Sequence, residues 1–259
     1  MKYIVSFTTS PKRLLKCESM LKSILNQTLK PDFIILNIPK IFSRTNEAYI
    51  IPKFVKQHVV INIIEKDLGP ASKIVPTIKY LNINNFDKNN TRIIYLDDDI
   101  KYMPGMIECF DKYCKKDNKL ILTGSGFRFI KQSPIGFRTH GSFVSIVEGY
   151  GGVCVSLSVF ENDFENYIEK YLKYKACKFS DDVILSNYYL IKKATLRSVN
   201  VTNKFSIPYM FENGSILAYG NEKDALHEGA DNTILTNNDR YKDVIKILKD
   251  NNDIHFKLY

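Results

Sequence analysis

Three consecutive aspartates, Asp97, Asp98 and Asp99, directly follow an apolar segment, residues 92–96, that predicts a buried β-strand. Adjacent carboxylates repel one another, so this cluster is costly unless a cation neutralises it. Successive strand side chains point to opposite faces, so we expect Asp97 and Asp99 to share one side and Asp98 to face the other way. Two carboxylates on one side suit Mg²⁺ or Mn²⁺, which prefer oxygen ligands. We interpret Asp97 and Asp99 as candidate metal ligands; the alternative is a solvated acidic turn.

A second acidic pair, Asp181 and Asp182, follows Ser180 at the start of a predicted helix that extends to about residue 192. A carboxylate in this position is a candidate general base toward a substrate hydroxyl group. Acidic residues at a helix start also stabilise the helix dipole without any catalytic part. Both interpretations of the pair stay open.

The elements around these acids alternate along the first half of the chain. Predicted strands at residues 3–8, 33–38, 59–64 and 92–96 are separated by predicted helices at 10–27 and 73–81, and a further helix follows at 104–114. This order is typical of a doubly wound parallel sheet, whose ligands bind at the carboxyl ends of the strands. The three aspartates are therefore expected at the ligand-binding edge of the sheet.

The second half is less regular. Its predicted elements are strands at 120–123 and 142–147, a glycine-containing loop at 124–141, a turn-rich segment at 203–238, a helix at 240–249 and a last strand at 254–258. No linker separates two domains, so we predict one domain spanning residues 1–259.

Composition excludes several classes of protein. The chain has 259 residues, of which 44% are hydrophobic, and 16 Tyr and 16 Phe supply a core, so disorder is excluded. No apolar run approaches the ~20 residues of a membrane span. Residues 1–10 have no long apolar segment and no small-residue cleavage site, so we do not expect them to be a signal peptide. We expect a cytoplasmic protein; a peripheral position at a membrane surface is the alternative. The five cysteines, an odd number without a CxxC motif, predict buried reduced thiols.

The net charge of +9 suggests an anionic partner. The basic residues are scattered rather than clustered, which disfavours nucleic acid as that partner. A phosphorylated small molecule remains as a class that fits the charge.

Five segments taken together resemble the GT-A glycosyltransferases, the class that uses nucleotide sugars and carries a DxD motif. These segments are VSFTTSPKR at 5–13, DLGPASK at 67–73, YLDDD at 95–99, EGYGG at 148–152 and SDDV at 180–183. The resemblance implies an α/β, Rossmann-like fold with a mixed, mainly parallel sheet flanked by helices. It also implies a nucleotide-sugar-binding half at 1–123, and an acceptor-binding half with a C-terminal extension at 124–259.

The resemblance further implies which residues bind the donor, a nucleoside diphosphate sugar that is most consistent with a uridine-linked one. Hydroxyl groups of the first loop would contact ribose or base, an arginine and a lysine would contact phosphates, and an aspartate would accept from the uracil imide. The donor-binding set is Thr8, Thr9, Ser10, Arg13, Asp67, Lys73, Asp97, Asp98 and Gly151, with Asp98 on the ribose or sugar and Gly151 allowing close backbone approach.

Catalytic and metal roles follow from the same resemblance. Asp182 is expected to be the base of an inverting reaction, with Asp181 nearly as eligible. Asp99 is the more direct of the two aspartate ligands to Mn²⁺ or Mg²⁺, and His227 is a further candidate ligand. Tyr150, within the glycine cluster, is a candidate platform for a sugar ring.

We therefore predict a metal-dependent, inverting glycosyltransferase that acts on a glycan, protein or lipid-linked acceptor. One alternative is another Mg²⁺-dependent phosphate-handling enzyme, such as a nucleotidyltransferase, although the Thr-Thr-Ser-Pro loop lacks the expected glycine-rich basic character. The other is a non-enzymatic nucleic-acid-binding or carbohydrate-binding protein, which has no need for both acidic clusters. Retaining chemistry, the sugar, the acceptor and the oligomeric state stay open.

Overall fold

The computed structural model describes residues 1–114, 117–129, 143–199, 211–216 and 237–257. In these ranges one seven-stranded sheet has the strand order β12-β8-β11-β6-β1-β2-β5. Its strands are accompanied by short two-residue to six-residue strands outside the sheet. The strands in chain order are β1 Lys2–Phe7, β2 Phe33–Pro39, β3 Ile41–Phe42, β4 Glu47–Ala48, β5 Val60–Ile64, β6 Thr91–Tyr95, β7 Ile100–Tyr102, β8 Leu120–Thr123, β9 Gly126–Phe127, β10 Ile146–Val147, β11 Val153–Ser156, β12 Thr195–Ser198 and β13 Phe211–Ile216.

Helices connect these strands. They are α1 Pro11–Leu14, α2 Glu18–Leu25, α3 Lys53–His58, α4 Val75–Ile83, α5 Met106–Cys114, α6 Phe164–Leu172, α7 Lys175–Lys178, α8 Asp181–Ile191 and α9 Asn237–Asp250, with 3-10 helices at Gly69–Lys73, Gly149–Gly151 and Leu157–Val159. None of the helices in the described ranges has the length and apolar character that crossing a bilayer requires.

The sheet is mixed and mainly parallel, which confirms the predicted fold class. Strands β5, β2, β1 and β6 pair in parallel, and β8 pairs in parallel with β12. Only β11 runs against its neighbours in the sheet, β6 and β8. Because β1, β2, β5 and β6 are parallel, their carboxyl ends meet at one edge, and the loops that follow them share that edge.

Both faces of the sheet are buried, which explains the continuous apolar runs of the strands. Ile4, Ile93 and Tyr95 belong to one core cluster, together with side chains of α4, α6, α8 and α9. Val5 and Ile94, their neighbours in sequence, belong to the other cluster, with side chains of α2 and α5. The alternation of these side chains follows from the two-residue period of a strand, and the Rossmann-like layering follows from both faces being covered.

In the first half of the chain the predicted strands and helices occur in the predicted order, and β3, β4, α3 and β7 are additional elements. The helix predicted at 10–27 is divided into α1 and α2, because the chain turns between them at residues 15–17. The helix predicted at 73–81 is preceded by the 3-10 helix Gly69–Lys73 and begins as α4 at Val75. The predicted strand at 142–147 is reduced to β10 and an isolated bridge at Phe143.

The last predicted strand, at 254–258, is wrong for its described part, because residues 254–257 form no strand. Asn187 supplies the hydrogen bonds that a strand partner would supply: its amide donates to the Asp253 carbonyl, and its side-chain oxygen accepts from the His255 N–H, at 2.7 and 2.8 Å. Phe256 packs on Phe129 with ring centroids 5.1 Å apart. The apolar residues of this segment therefore serve the core without strand geometry.

Candidate active site

A cavity opens at the shared carboxyl edge of β1, β2, β5 and β6, and the start of α8 forms its opposite wall. Its volume is about 210 Å³, below the ~300–1,000 Å³ of typical ligand pockets. A nucleotide-sized ligand in this cavity therefore extends toward solvent. The lining residues are Thr8, Thr9, Ser10, Arg13, Pro39, Phe42, Ser43, Arg44, Tyr49, Asp67, Gly69, Pro70, Lys73, Asp97, Asp98, Asp99, Lys178, Phe179, Ser180, Asp181, Asp182 and Tyr241.

Nearly all of the sequence-predicted site residues line this one cavity. The set brought together is Thr8, Thr9, Ser10, Arg13, Asp67, Lys73, Asp97, Asp98, Asp99, Asp181 and Asp182. Gly151 is not among the lining residues. His227 lies outside the residues that the structure describes. Motifs separated by more than 100 residues in the chain thus meet at one place.

The aspartate trio does not alternate in the way the sequence suggested. Arg13 forms an ion pair with Asp98 at 3.0 Å and also contacts Asp99, whereas Asp97 contacts Lys73 at 2.9 Å. The expectation that Asp98 faces away from its neighbours is wrong, because the strand ends at Tyr95 and strand alternation does not continue into the turn. All three carboxylates therefore face the cavity, divided between two cations.

The buried carboxylates of the trio hold protons more tightly than ordinary aspartates. Burial raises the pKa of Asp98 to about 6, although the Arg13 guanidinium opposes the rise. Burial, followed by the Asp97 charge, raises the pKa of Asp99. Burial lowers the pKa of Arg13, but the nearby carboxylates outweigh it and raise that pKa above its ordinary value. Arg13 therefore stays charged while Asp98 titrates near neutral pH.

The raised pKa of Asp98 implies that the free energy of unfolding depends on pH. Because its pKa is raised from 3.8 to about 6 on folding, its stabilising contribution is complete below pH ~4 and is lost as the pH rises through ~6. Between pH 4 and pH 7, we expect the free energy of unfolding of the wild type to fall by on the order of 3 kcal/mol more than that of Asp98→Asn. Urea unfolding of both proteins across this range measures the difference. A constant difference would contradict the assignment.

Lys73 is the central cation of the opposite wall. Its side chain is only 4% exposed, and its ammonium lies 2.9 Å from Asp97 Oδ1 and 3.3 Å from Asp181 Oδ2. Burial lowers the pKa of Lys73, but Asp181 and Asp97 outweigh it and raise that pKa well above its ordinary value. The lysine therefore remains charged and joins the acidic turn after β6 to the acidic start of α8.

The acidic pair begins α8, as predicted. Asp181 is 5% exposed, and Asp182 accepts a hydrogen bond from the Gly149 N–H at 3.0 Å. Burial and the Asp181 charge raise the pKa of Asp182 well above its ordinary value, and burial also raises the pKa of Asp181. Two coupled carboxyl groups beside one buried lysine can hold or accept a proton, which is the chemistry expected of a general base.

Gly149 and Gly151, in the segment at 148–152, pack closely against other parts of the chain. A Cβ on Gly149 would lie 2.4 Å from Lys73 Nζ, and a Cβ on Gly151 would lie 2.4 Å from the Ser125 backbone nitrogen. Gly151 therefore packs on the chain after β8, and the close approach of a ligand to it remains a prediction. Tyr150 hydrogen-bonds through its hydroxyl to Ser125 Oγ at 2.7 Å and is not among the cavity-lining residues, and its contact with a sugar ring remains a prediction.

The close approach of Gly149 and Lys73 predicts that substitutions at these two positions have coupled effects on stability. We expect Gly149→Ala to lower the free energy of unfolding by about 1–3 kcal/mol, because the new methyl group displaces the Lys73 ammonium. In a Lys73→Met background the cost is expected to fall, since Met has no atom at the Nζ position. Urea denaturation of the double-mutant cycle measures this coupling. Gly151→Ala is the matched control, because its neighbours are atoms of Gly124 and Ser125 and its cost should not depend on residue 73.

The hydroxyl groups of the loop after β1 already have partners. Thr8 donates to the Asn37 carbonyl at 2.7 Å, and Thr9 donates to Asp98. Ser10 accepts from the Arg13 N–H as the N-cap of α1. This loop therefore orients Arg13 and Asp98, and contacts of these hydroxyls with a nucleotide remain predictions.

Asp67 is held by a hairpin that the sequence did not reveal. The backbone N–H and the hydroxyl of Ser43 donate to Asp67 Oδ2 at 3.0 and 2.6 Å, and the Gly69 N–H donates to Oδ1 at 2.8 Å. Burial raises the pKa of Asp67, but these hydrogen bonds outweigh it and lower that pKa. The carboxylate is thus ionised and orders the turn between β3 and β4.

Several lining residues had no recognisable sequence signal. Phe42 and Arg44, on the hairpin, stack with 4.9 Å between the guanidinium carbon and the ring centroid. Tyr49 donates from its hydroxyl to the Thr9 carbonyl at 2.8 Å. Lys178 precedes α8, and Tyr241 arrives from α9. Only tertiary packing brings these side chains to the cavity.

The side chains of this site can hold a metal ion only if a bound substrate supplies further oxygen ligands. No set of three or more His, Cys, Asp or Glu side chains in the described ranges is arranged to hold one. Asp97 and Asp99 nevertheless present carboxylate oxygens to the cavity, and Asp97 is 36% exposed. Mg²⁺ is commonly bound by one or two carboxylates, with waters and substrate phosphates completing the shell. The donor chemistry therefore fits a cation carried in with a phosphate.

Comparison with known proteins gives no assignment of family. No family model matches the chain, and no curated protein matches it. Among solved structures, the chain is similar to the crystal structure of a 4-diphosphocytidyl-2C-methyl-D-erythritol synthase, at 8% identity and a TM-score of 0.45, over 80% of this chain and 93% of that one. A likeness of this size does not assign an activity.

Proposed function

We propose that this protein is a transferase that acts on a nucleotide substrate. More specifically, we propose a metal-dependent glycosyltransferase that uses a nucleoside diphosphate sugar as its donor. One observation carries the proposal: four separate motifs meet in one cavity at the carboxyl edge of the sheet. Within it, buried Lys73 links the acidic turn after β6 to the acidic start of α8. Transfer to an acceptor hydroxyl needs a carboxylate that accepts the hydroxyl proton, and a phosphate-bearing donor needs carboxylates that hold a cation.

The positions of the acidic residues in the cavity suggest the role of each in the reaction. Asp97 and Asp99 would hold Mn²⁺ or Mg²⁺, and a bound cation would stabilise the charge that develops on a departing diphosphate. Asp182, with Asp181 beside it, would accept the proton of the acceptor hydroxyl. Lys73 stabilises the charged forms of these acids, so it sets the proton affinity of the base. A glycan, protein or lipid-linked hydroxyl is the proposed acceptor.

Nucleotidyl transfer is the second candidate, and the acidic trio is compatible with it. The loop after β1 lacks glycine, yet it places the Arg13 guanidinium beside the trio, where it pairs with Asp98 and Asp99. Carboxylates at this position suit a cation bound to a triphosphate substrate as well as to a diphosphate. The two candidates differ in the bond that breaks, and hence in the product released.

A ligand screen followed by product analysis tests the proposal. We expect one class of nucleoside diphosphate sugar to raise Tm in the presence of Mn²⁺, since a ligand that binds only the folded state stabilises it. With that donor, the first candidate releases a nucleoside diphosphate. Stabilisation by a nucleoside triphosphate with release of pyrophosphate would favour nucleotidyl transfer. Absence of stabilisation by every nucleotide would contradict both candidates.

A further inference from the structure

The cations that line the cavity have different partners. Arg13 is engaged by Asp98 and Asp99, and Lys73 by Asp97 and Asp181. These two cations are thus committed to carboxylates. The phosphate contacts expected of them from sequence would require those ion pairs to be broken, at the cost of leaving buried carboxylates uncompensated.

Lys178 is different. It ends α7 and lines the cavity, and among the described residues its side-chain ammonium makes no hydrogen bond and no ion pair. The ammonium lies 6.0 Å from the centroid of the Phe179 ring, and its charge helps to lower the pKa of Asp67 without forming an ion pair with that carboxylate. The donor capacity of the ammonium is therefore available to a ligand in the cavity.

The fold makes room for the Lys178 stem. A Cβ on Gly69 would lie 3.3 Å from Lys178 Cγ and 3.0 Å from the Lys178 carbonyl oxygen, and Gly69 has a φ of +66°. The absent side chain at Gly69 lets the aliphatic part of Lys178 lie against the 3-10 helix Gly69–Lys73. This contact holds the Lys178 stem at the wall of the cavity, of which Gly69 is also a lining residue.

Ser180 supplies a second polar group to the same cavity. It precedes α8 at the N-cap position, but its hydroxyl does not cap the helix. Ser180 is 3% exposed and lines the cavity, and its Oγ has no hydrogen-bond partner among the described residues. A buried hydroxyl without a partner costs free energy unless a ligand supplies one.

We infer that Lys178, with the Ser180 hydroxyl beside it, binds the phosphoryl oxygens of the nucleotide substrate, while Arg13 and Lys73 neutralise the acids. A compact ammonium and a hydroxyl donor suit phosphoryl oxygens. This inference rests on the proposed function for the identity of the ligand, since the nucleotide supplies the phosphates. It differs from the sequence-based expectation, in which Arg13 and Lys73 contact the phosphates.

Binding measurements on three probes test the inference. Isothermal titration calorimetry in Mg²⁺-containing buffer compares UDP, uridine and inorganic pyrophosphate. We expect Lys178→Met, which keeps the apolar stem, to weaken UDP and pyrophosphate binding by about tenfold to a hundredfold. Uridine binding should not change, and Lys178→Arg should recover most of the affinity. Lys175→Gln is the matched control, because it removes the same charge from the same helix at an exposed position outside the cavity.

The outcomes separate this inference from the proposed function. Wild-type affinity of Lys178→Met for UDP and pyrophosphate would overturn the inference and leave the proposed function standing. Equal weakening of UDP and uridine would also overturn it, since it would indicate a structural effect. If wild type binds pyrophosphate but not UDP, and Lys178→Met loses pyrophosphate, the anion site stands and the proposed uridine-linked donor fails. If wild type binds none of the probes, both fail.

Discussion

Lys73→Met is expected to lower the free energy of unfolding by about 3–5 kcal/mol, the cost of removing one partner from a buried ion pair. The lysine side chain is 4% exposed and serves both Asp97 and Asp181. Its removal leaves these acids with mutual repulsion in a buried place. Because protonation relieves that repulsion, the deficit should shrink as the pH falls. Urea unfolding at neutral and acidic pH measures both effects.

Two variants sharpen this experiment. Lys79→Met removes the same charge from an exposed position on α4 and should change stability by less than ~0.5 kcal/mol. Asp181→Asn in the Lys73→Met background should recover part of the loss, since it removes one of the uncompensated charges. A loss below ~1 kcal/mol for Lys73→Met at neutral pH would contradict the central role given to the lysine.

Asp182→Asn is expected to lower kcat by about 10²–10⁴-fold with little change in donor affinity. The substitution removes the proton acceptor, while the asparagine side chain can still accept the Gly149 N–H hydrogen bond at 3.0 Å. Initial rates with the donor found by the ligand screen give kcat, and calorimetry with the same donor gives its affinity. A parallel loss of both would indicate damage to the cavity rather than loss of a base.

Asp181→Asn is the comparison that decides between the two acids. Asp181 pairs with Lys73, so its variant should perturb stability and the pH profile of kcat, since the lysine loses one partner. If Asp181→Asn abolishes turnover and Asp182→Asn does not, the base is Asp181. Full turnover in both variants would contradict the proposal that this pair accepts the proton.

The order of elements in the first half could be predicted because local patterns decide it. Residues 93–96 form an apolar run that is typical of a strand buried on both faces, and Ser10-Pro11 marks a helix start. The second half was less predictable: β11 and α6 were not recognised, and the segment at 254–257 packs its apolar residues without forming a strand. There, hydrogen bonds from Asn187 replace those of a ladder, and no local pattern reports them.

By itself, the sequence determined the Rossmann-like layering and the edge of the sheet at which the cavity opens, because parallel strands bring their following loops to one edge of the sheet. It did not determine how the charges inside the cavity are paired. The chain leaves strand geometry at Tyr95, so Asp98 turns toward Arg13, and the start of α8 brings Asp181 to Lys73. These pairings depend on distances between side chains far apart in the chain, which only the packing of the tertiary structure sets.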